Sequence, residues 1–249
     1  MKKRIDFILV EKNLVESRTK AQWLIKNGYV FISGKKVLKP GKLVDNNHEI
    51  QLKQNFPYVS RGGIKLEAAL NKFSISPKGK TCVDIGSSVG GFTDCLLKHG
   101  ASRVYAIDTA IDLLHPSLKK EKIEEAIISI SGLDARNLIP IKEKVDICTI
   151  DVTFDSLRTI LPNVKRVLKD DGDIIALVKP VFETEFHKKD KLDVIHDPTQ
   201  LYHILYDLIQ WNIENHFFPY GIIKSPILGK EGSKEFFSSF KIEKNWFKT

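Results

Sequence analysis

The sequence predicts an α/β fold with a mostly parallel sheet, preceded by a small α+β domain. From residue 58 onward, short apolar runs typical of buried strands alternate with helical patterns, as in βαβ units. A glycine-rich turn directly follows the first of these strand-like runs. Lys and Arg outnumber Asp and Glu by 12 to 5 in residues 1–53, but only by 27 to 26 in the rest of the chain, so charge also divides it into two regions.

The first 53 residues are expected to form two helices and a small sheet. Ile5, Ile8 and Leu9 have the spacing of one helix face. Ser17 is placed to cap a second helix, which would end at Gly28. The predicted elements are helices over 4–12 and 18–26 and strands over 29–32 and 50–52, with Val44 in a further short strand.

The rest of the chain predicts the alternating elements of a parallel sheet. The predicted strands cover 82–85, 104–108, 127–130, 145–150, 174–178 and 221–223, and the predicted helices cover 92–98, 156–168 and 198–211. We therefore expect a first domain at 1–54, a linker at 55–59 and a second domain at 60–249.

The excess of positive charge in residues 1–53 indicates the class of partner. A compact basic segment on a nearly neutral body is typical of proteins that bind a polyanion. The alternative is a solvated lysine-rich surface, which is common. The concentration of the charge in one segment favours the polyanion.

Neither a membrane span nor a disulfide framework is predicted. No apolar stretch approaches the roughly 18 residues that a membrane helix needs. The basic start at Lys2 is followed by a short apolar run that Glu11 ends, so no signal peptide is expected. The cysteines Cys82, Cys95 and Cys148 form no CxxC pair and indicate a reduced, cytoplasmic protein.

The glycine-rich turn joins the first predicted strand of the second domain to the following helix. It reads GSSVGGFT from Gly86 to Thr93, and glycines allow the backbone to approach a ligand closely. Asp108 ends the next strand, where an acid can bind both hydroxyls of a ribose. The GxxxGG spacing differs from the GxGxxG of dinucleotide sites and favours S-adenosylmethionine. A purely structural turn is the alternative.

Three further strand ends carry polar residues that can meet at one edge of the sheet. Asp134 follows the third predicted strand, Asp151 the fourth and Lys179 the fifth. Ligands of open α/β sheets bind beyond the carboxyl ends of the strands. A lysine packed there near another cation can lose its proton and act as a base. The alternatives are a helix cap for Asp151 and an ordinary surface lysine for Lys179.

Two charged windows lie outside these strand ends. Residues 60–65 read SRGGIK, in which the glycine pair would form a flexible turn and Lys65 would open an apolar helix. Arg61 and Lys65 are candidates for phosphate contacts. Residues 229–237 read GKEGSKEFF, and from this window alone Glu235 is interpreted as a solvated glutamate at a helix start.

Two other clusters are less specific. His196 and His203, with Asp193 and Asp197 nearby, lack the usual ligand spacing of zinc sites, so no metal is expected. Four aromatic residues near the end of the chain are interpreted as core rather than as base-stacking residues. They are Trp211, Phe217, Phe218 and Tyr220.

Five sequence windows form a combination that is specific to one family. They are SRTKAQWLIKNGYV from Ser17, SRGGIKLEAAL from Ser60, DIGSSVGGFTDCLL from Asp84, DVTFDSL from Asp151 and LVKPVFE from Leu177. Together they resemble the TlyA family of rRNA 2′-O-methyltransferases, which also carries a haemolysin name. The resemblance spans essentially the whole chain. It implies an S4 RNA-binding domain and an FtsJ-like, class I methyltransferase domain with a mostly parallel, seven-stranded sheet.

The resemblance also implies functional residues. The catalytic tetrad would be Lys65, Asp151, Lys179 and Glu235. In it, Lys179 would remove the proton of a ribose 2′-hydroxyl, and the other three residues would orient that lysine. The implied S-adenosyl-L-methionine contacts are Asp84, Gly86, Ser88, Gly90, Gly91, Phe92, Thr93, Asp108, Asp134 and Asp151.

The implied partner is ribosomal RNA, in isolation or in ribosomal subunits, with cytidine as the modified nucleoside. The implied RNA contacts are Arg4, Ser17, Arg18, Lys20, Lys26, Lys35, Lys36 and Arg61. We expect a monomer or weak dimer without stable membrane association.

One stretch beside the expected cofactor site departs from the family pattern. Residues 109–114 read TAIDLL where the family usually has Val-Gly-x-Gly-Gln-Leu, and Asp134 stands where Asn is usual. A protein that had lost cofactor binding would be a non-catalytic, ribosome-associated RNA-binding factor. A membrane-active haemolysin is the other alternative. The intact tetrad favours the enzyme.

Overall fold

In the computed structural model the chain forms two compact units, Met1–Arg61 and Gly62–Thr249. The structure describes residues 2–53, 55–120, 123, 125–137, 140–184, 194–229 and 232–242. None of the helices in these ranges has both the length and the apolar composition that crossing a bilayer requires. All three cysteines are free and buried.

The first unit contains two helices and two small sheets. Its elements are β1 (Lys2–Arg4), α1 (Ile5–Glu11), α2 (Arg18–Lys26), β2 (Val30–Ile32), β3 (Lys35–Lys36), β4 (Leu43–Asp45) and β5 (Ile50–Leu52). Strands β3, β2 and β5 form one antiparallel sheet in that order, and β1 pairs with β4 in the other. Ile5, Ile8 and Leu9 of α1 and Leu24 and Ile25 of α2 lie in the buried core of this unit.

The local signals of the first unit predicted its helices well but missed two strands, β1 and β3. Helix α2 has the predicted bounds, and the Ser17 hydroxyl caps it by accepting from the Lys20 amide at 3.3 Å. Strand β1 was not predicted, because its three residues are charged and exposed. Backbone pairing with β4 defines this strand, and such pairing leaves no hydrophobic pattern.

The second unit has the predicted α/β organisation. Its elements are α3 (Arg61–Phe73), β6 (Thr81–Ile85), α4 (Gly91–Lys98), β7 (Arg103–Asp108), β8 (Ile127–Ser131), β9 (Val145–Ile150), α5 (Leu157–Val167), β10 (Leu168–Val178), α6 (Pro198–Glu214), β11 (Phe218–Lys224) and β12 (Phe236–Lys241). Nearly every predicted strand and helix is present within a few residues of its expected bounds.

The sheet of the second unit has seven strands in the order β11-β12-β10-β9-β6-β7-β8. Strands β10, β9, β6, β7 and β8 are parallel to one another, and β12 is antiparallel to both β10 and β11. This confirms the mostly parallel, seven-stranded sheet. The strand order reverses between β6 and β9, which is where an open α/β sheet binds its ligand.

Two local predictions in this unit are wrong. Gly62 and Gly63 do not form a flexible turn, because they lie in the first turn of α3, which buries Leu66 and Ala69. Burial of that apolar face outweighs the roughly 1 kcal/mol that a glycine costs inside a helix. Glu235 is not a solvated residue at a helix start, because it is buried and directly precedes strand β12.

Candidate active site

The glycine-rich turn after β6 packs its backbone against the end of β9. The φ angle of Gly86 is +81°, and a Cβ on this residue would lie 2.3 Å from the carbonyl oxygen of Asp151. The Asp151 amide donates to the carbonyl of Ile85 at 2.9 Å. Only a glycine accepts both the positive φ and so close an approach. The turn therefore places Gly86 beside Asp151 at the reversal of strand order.

The carboxyl group of Asp84, two residues before this turn, is fully buried. Asp84 accepts hydrogen bonds from the hydroxyls of Thr93, at 2.7 Å, and Thr149, at 3.1 Å. Burial raises the pKa of Asp84 to about 7, and the two hydroxyl donors only partly oppose that effect. The hydrogen bond between Asp84 and Thr93 therefore joins the two sides of the turn in the protein interior, since both side chains are fully buried.

The helix that follows the turn begins at its last glycines. Gly90 precedes α4 with a φ of +90°, and a Cβ there would lie 2.4 Å from the side chain of Leu118. Phe92 is buried, with its ring 6.0 Å from that of Phe237. Of the predicted cofactor contacts in α4, Phe92 thus packs into the protein interior, while Gly90 and Gly91 form the backbone of the turn.

Asp108, the predicted ribose ligand, lies at the end of β7. Its two carboxylate oxygens each accept one backbone hydrogen bond at 2.8 Å, from the amides of Ser88 and Ala110. Each oxygen keeps a further lone pair for a ligand hydroxyl. Asp112, which stands at a family glycine, has a φ of +58°. Aspartate tolerates this left-handed conformation better than most residues do, so the loop makes its turn without the glycine.

Lys179 and Asp151 form an ion pair at the carboxyl ends of β10 and β9. The Nζ of Lys179 lies 2.6 Å from Oδ1 of Asp151. It also donates to the carbonyl of Val152 at 2.8 Å and to the Thr153 hydroxyl at 3.2 Å. All three contacts come from consecutive residues after β9. They fix the position of the amino group while the side chain stays partly accessible.

A second, more deeply buried ion pair joins Lys65 of α3 to Glu235. The Nζ of Lys65 donates to Oε2 of Glu235 at 2.5 Å, and both side chains are buried. The Ser225 amide donates to the Glu235 carbonyl at 2.9 Å, which fixes the backbone just before β12. A Cβ on Gly229 would lie 2.2 Å from the Glu235 carboxylate. The glycine therefore makes room for this carboxylate.

The sheet register brings these two ion pairs to the same edge. Val178 of β10 pairs with Phe236 of β12, so Lys179, which follows β10, and Glu235, which precedes β12, are adjacent. Asp151 reaches Lys179 from the neighbouring strand on the other side. The four predicted catalytic side chains thus gather beside the glycine-rich turn, at the ligand-binding edge of the sheet.

Sequence reasoning missed Glu183, which connects two segments of this edge. Its carboxylate accepts from the Ser156 hydroxyl at 2.5 Å and from the Leu157 amide at 2.8 Å, at the start of α5. Arg158 adds an ion pair at 3.6 Å. Burial raises the pKa of Glu183. The residue is the last of the LVKPVFE window, and that position was the only available signal.

Phe154 is a second residue whose position the sequence did not reveal. It is 54% exposed and has a φ of +73°, which is uncommon for a bulky side chain. Its ring lies 5.6 Å from that of Phe182, between the Asp151 and Lys179 segments and the start of α5. An exposed aromatic ring held in a strained conformation beside such a cluster is typical of a ligand contact.

Asp134, the predicted contact to the adenine amino group, is paired within its own loop. Its carboxylate accepts from the Arg136 backbone amide at 2.9 Å and from the Arg136 guanidinium. Hydrogen bonds from that guanidinium lower the pKa of Asp134. Arg136 also contacts Asp155 at 3.2 Å, which ties the loop to the segment that holds Phe154.

The predicted RNA contacts of the first unit are mostly exposed, and two of them share one partner. Arg4 and Arg18 both contact the buried carboxylate of Asp6. Lys20 pairs with Glu16 on the same helix. The other predicted contacts in this unit are Ser17, which caps α2, the exposed Lys26, Lys35 and Lys36, and the half-buried Arg61.

The two less specific clusters have mixed outcomes. Among the described residues, no group of three or more His, Cys, Asp or Glu side chains is placed to hold a metal ion, and Asp193 lies outside that range. Phe217 is buried in the core and stacks with Trp211 at 6.4 Å, as predicted. Tyr220 is 61% exposed, so its prediction as a core residue is wrong. It lies on β11, at the edge of the sheet.

Comparison with known proteins finds two family models that match this chain. The FtsJ-like methyltransferase family matches residues 58–242, and the S4 domain matches residues 3–50. The chain is 38% identical to YqxC of Bacillus subtilis, a protein named as an rRNA methyltransferase, over 94% of this chain and 84% of that protein. It is 34% identical to the 16S/23S rRNA (cytidine-2′-O)-methyltransferase TlyA of Mycobacterium tuberculosis, over 94% and 88% of the two chains.

A solved structure with the same architecture carries the haemolysin name. It comes from Streptococcus thermophilus, is 32% identical, and superposes with a TM-score of 0.71 over 98% of this chain and 89% of that one. The sheet order and these similarities agree with one another. The chain therefore belongs to the TlyA family, in which an S4 domain precedes an FtsJ-like methyltransferase domain.

Proposed function

We propose that this protein is an S-adenosyl-L-methionine-dependent methyltransferase that modifies the 2′-hydroxyl of a cytidine in ribosomal RNA. The observation that supports this most directly is the adjacent placement of the Lys179–Asp151 and Lys65–Glu235 ion pairs. They lie next to the glycine-rich turn, where a methyl donor and a ribose can meet.

The residues around the turn fit the cofactor. Gly86 leaves the backbone at the strand reversal free of side-chain atoms, and Asp108 keeps an acceptor lone pair on each oxygen for ribose hydroxyls. Asp84 and Thr93 would hold the turn in place through their buried hydrogen bond and would not contact the ligand. When bound, S-adenosyl-L-methionine would supply a methyl group on a sulfonium that an oxygen nucleophile can attack.

Lys179 would receive the proton of the ribose hydroxyl at its Nζ as the hydroxyl oxygen takes the methyl group, whose bond to the sulfonium sulfur breaks to leave a neutral thioether. The ammonium form has three N–H groups, and Asp151, Val152 and Thr153 offer three acceptors. These three acceptors fix the position of the Lys179 amino group, so that a ribose hydroxyl can be brought to it in a defined geometry. The neighbouring Lys65–Glu235 pair would hold the substrate side of the site in place.

Phe154 would contact the target nucleoside. An exposed aromatic ring offers a stacking surface to a base that has left its helix, and such stacking contributes about 1–3 kcal/mol. The first domain, residues 1–54, would bind structured rRNA through its basic surface. Residues 55–59 would link it to the catalytic domain at 60–249. The proposed setting is the cytoplasm, with the protein as a monomer or weak dimer.

The test is methyl transfer to defined RNAs. The purified protein is incubated with radiolabelled S-adenosyl-L-methionine and with separate ribosomal subunits or deproteinised rRNAs from a strain that lacks the modification. Lys179→Ala is compared with Lys169→Ala, which removes a lysine from the exposed Lys169–Asp146 pair elsewhere in the same unit. We expect label in one RNA, recovered as 2′-O-methylcytidine, with Lys179→Ala inactive and Lys169→Ala active.

Other outcomes would point to the alternatives. If the protein binds ribosomal subunits but no RNA accepts label, a non-catalytic binding factor replaces the enzyme. If the purified protein releases dye from liposomes at low concentration, the membrane-active function regains support. If label appears on a base instead of a ribose, the proposed acceptor is wrong.

A further inference from the structure

Asp6 is a fully buried carboxylate in the most basic part of the chain. It lies in the first turn of α1 and is 0% exposed. Its two oxygens accept from Nε and Nη2 of Arg4 at 3.0 and 2.9 Å, from Nη2 of Arg18 at 3.3 Å and from the Gln22 amide at 2.9 Å. One buried acidic group therefore organises side chains from both α2 and the residue that ends β1.

The two arginines remain accessible although their orientation is fixed. Their side chains are 44% and 46% exposed. Arg4 uses the two donors of its Asp6-facing edge, so the other edge of the guanidinium keeps its N–H groups. The Arg18 guanidinium is held a second time, because its carbon lies 3.9 Å from the centroid of the Phe7 ring. Exposed arginines ordinarily sample many rotamers, whereas these two are held.

Arg4 lies near Gly41, one of the residues that line a basic cleft of about 450 Å³. A Cβ on Gly41, which lines the cleft, would lie 3.7 Å from Nη1 of Arg4. Lys36, Lys39 and Lys42 also line it. A polyanion at this surface would meet lysines on flexible side chains together with an arginine of fixed geometry.

We propose that Asp6 is a positioning residue for RNA binding, which fixes Arg4 and Arg18 at one spacing so that both can contact phosphates of the RNA backbone. This rests on the proposed function, because it assumes an RNA substrate. Asp6 itself is fully buried and acts through the arginines. The affinity gain comes from side-chain ordering that is complete before RNA binds.

If Asp6 positions the arginines, its removal should change RNA affinity in the direction opposite to the one that charge alone predicts. Asp6→Asn removes a negative charge from a surface that binds a polyanion, so charge alone would tighten binding. Loss of positioning would weaken it. Glu11→Gln is a matched control, because Glu11 lies on the same helix, loses the same charge and pairs with Lys3 at an exposed position.

The experiment measures dissociation constants of the full-length variants for deproteinised 16S and 23S rRNA at several salt concentrations. We expect Asp6→Asn to weaken binding about tenfold through lost preorganisation, while Glu11→Gln binds as the wild type does or slightly more tightly. In the methylation assay, Asp6→Asn should raise KM for RNA and leave kcat and cofactor affinity unchanged. Binding by Asp6→Asn as tight as that of Glu11→Gln would overturn the proposal.

Arg4→Lys decides the matter if Asp6→Asn does not fold, as judged by circular dichroism. Lysine keeps the charge and leaves Asp6 in place, but it cannot make the two-point contact that orients a guanidinium. We expect a similar loss of affinity, and wild-type affinity would overturn the proposal. If no RNA is methylated but Asp6→Asn still weakens rRNA binding, the proposed enzyme fails while the role of Asp6 stands.

Discussion

Asp6 and Asp84 are fully buried aspartates, one in each unit, and their neighbours give them opposite proton affinities. Hydrogen bonds from the Arg4 guanidinium hold the pKa of Asp6 well below its usual range. Burial raises the pKa of Asp84 to about 7, because two hydroxyl groups replace the lost water only in part. Burial alone therefore does not fix the charge of a carboxyl group, since the charge of its partners decides it.

The same contrast applies to how the two units build their candidate binding surfaces. Around Asp6, charged side chains orient one another at the protein surface. Above Asp84, the site depends on close backbone packing, in which Gly86 meets the carbonyl of Asp151. The first arrangement should respond to changes of charge, and the second to changes of volume.

Gly86→Ala should have the largest effect on stability, because there is no space for an added side-chain atom at this position. The added Cβ would lie 2.3 Å from a backbone oxygen at a φ of +81°, and we expect a loss of about 3–5 kcal/mol from strain and overpacking, with cofactor binding abolished. Denaturant unfolding and cofactor titration would measure both. Gly79→Ala is the control, because its φ is +71° with no atom within 4 Å of the new Cβ. Equal losses in the two variants would show that backbone strain, not packing, is the cause.

Asp6→Asn should lower the stability of the first unit by about 2–3 kcal/mol near neutral pH, because two guanidinium groups lose their charged partner. The folded-state pKa of Asp6 is lowered, so its contribution is fully present above the unfolded-state pKa, about 4, and is lost as pH falls below it. Hydrogen exchange of α1 and α2 would follow this unit specifically. A difference from the wild type that persists unchanged to pH 3 would contradict the charged state of Asp6.

The sequence predicted what depends on local periodicity. The strands over 82–85 and 145–150 and the helix over 18–26 were found because apolar spacing and a cap mark them. Lys65 and Glu235 lie far apart in the sequence and pair only through the folded sheet. The family resemblance selected them, whereas the residues of the 229–237 window predicted an exposed Glu235.

Several features that the sequence did not predict depend on contacts between residues that are distant in the chain. Strand β1 is defined by its backbone pairing with β4, and Glu183 by hydrogen bonds to a helix start 26 and 27 residues earlier in the chain. Asp6 counted in the sequence as one acidic residue in a basic segment. Its burial between two arginines from different elements has no local signature.

Glu183→Ala tests whether the buried carboxylate of Glu183 positions residues of the candidate active site. Without it, Ser156 and Leu157 lose their acceptor, and the segment that carries Phe154 is less well fixed relative to Lys179. We expect kcat to fall about ten- to a hundredfold, since small misplacements of reacting groups are costly. Cofactor affinity should not change. Glu183→Gln keeps one of the two acceptor oxygens and should recover part of the rate. No recovery would indicate that the second acceptor or the charge is required.

Asp84→Asn should have the smallest effect on the free energy of unfolding, and that effect should depend most clearly on pH. The folded-state pKa of Asp84 is about 7, above the unfolded value of about 4, so the folded state holds the extra proton between these two values. The carboxyl group therefore contributes most stability below pH 4, and that contribution is lost as pH rises through 7. Between pH 6 and pH 8, the wild type should lose on the order of 1 kcal/mol relative to the Asn variant.

Denaturant unfolding of the wild type and both Asn variants over that range would complete the comparison. Asp6 is ionised in the folded and the unfolded state throughout pH 6 to 8. The difference in unfolding free energy between the wild type and Asp6→Asn should therefore not change with pH, whereas the difference between the wild type and Asp84→Asn should change. A flat difference for Asp84→Asn would mean that Thr93 and Thr149 stabilise the ionised carboxylate as effectively as the arginines stabilise Asp6. In that case hydrogen bonding, rather than the charge of the partner, would be the property that the two buried aspartates share.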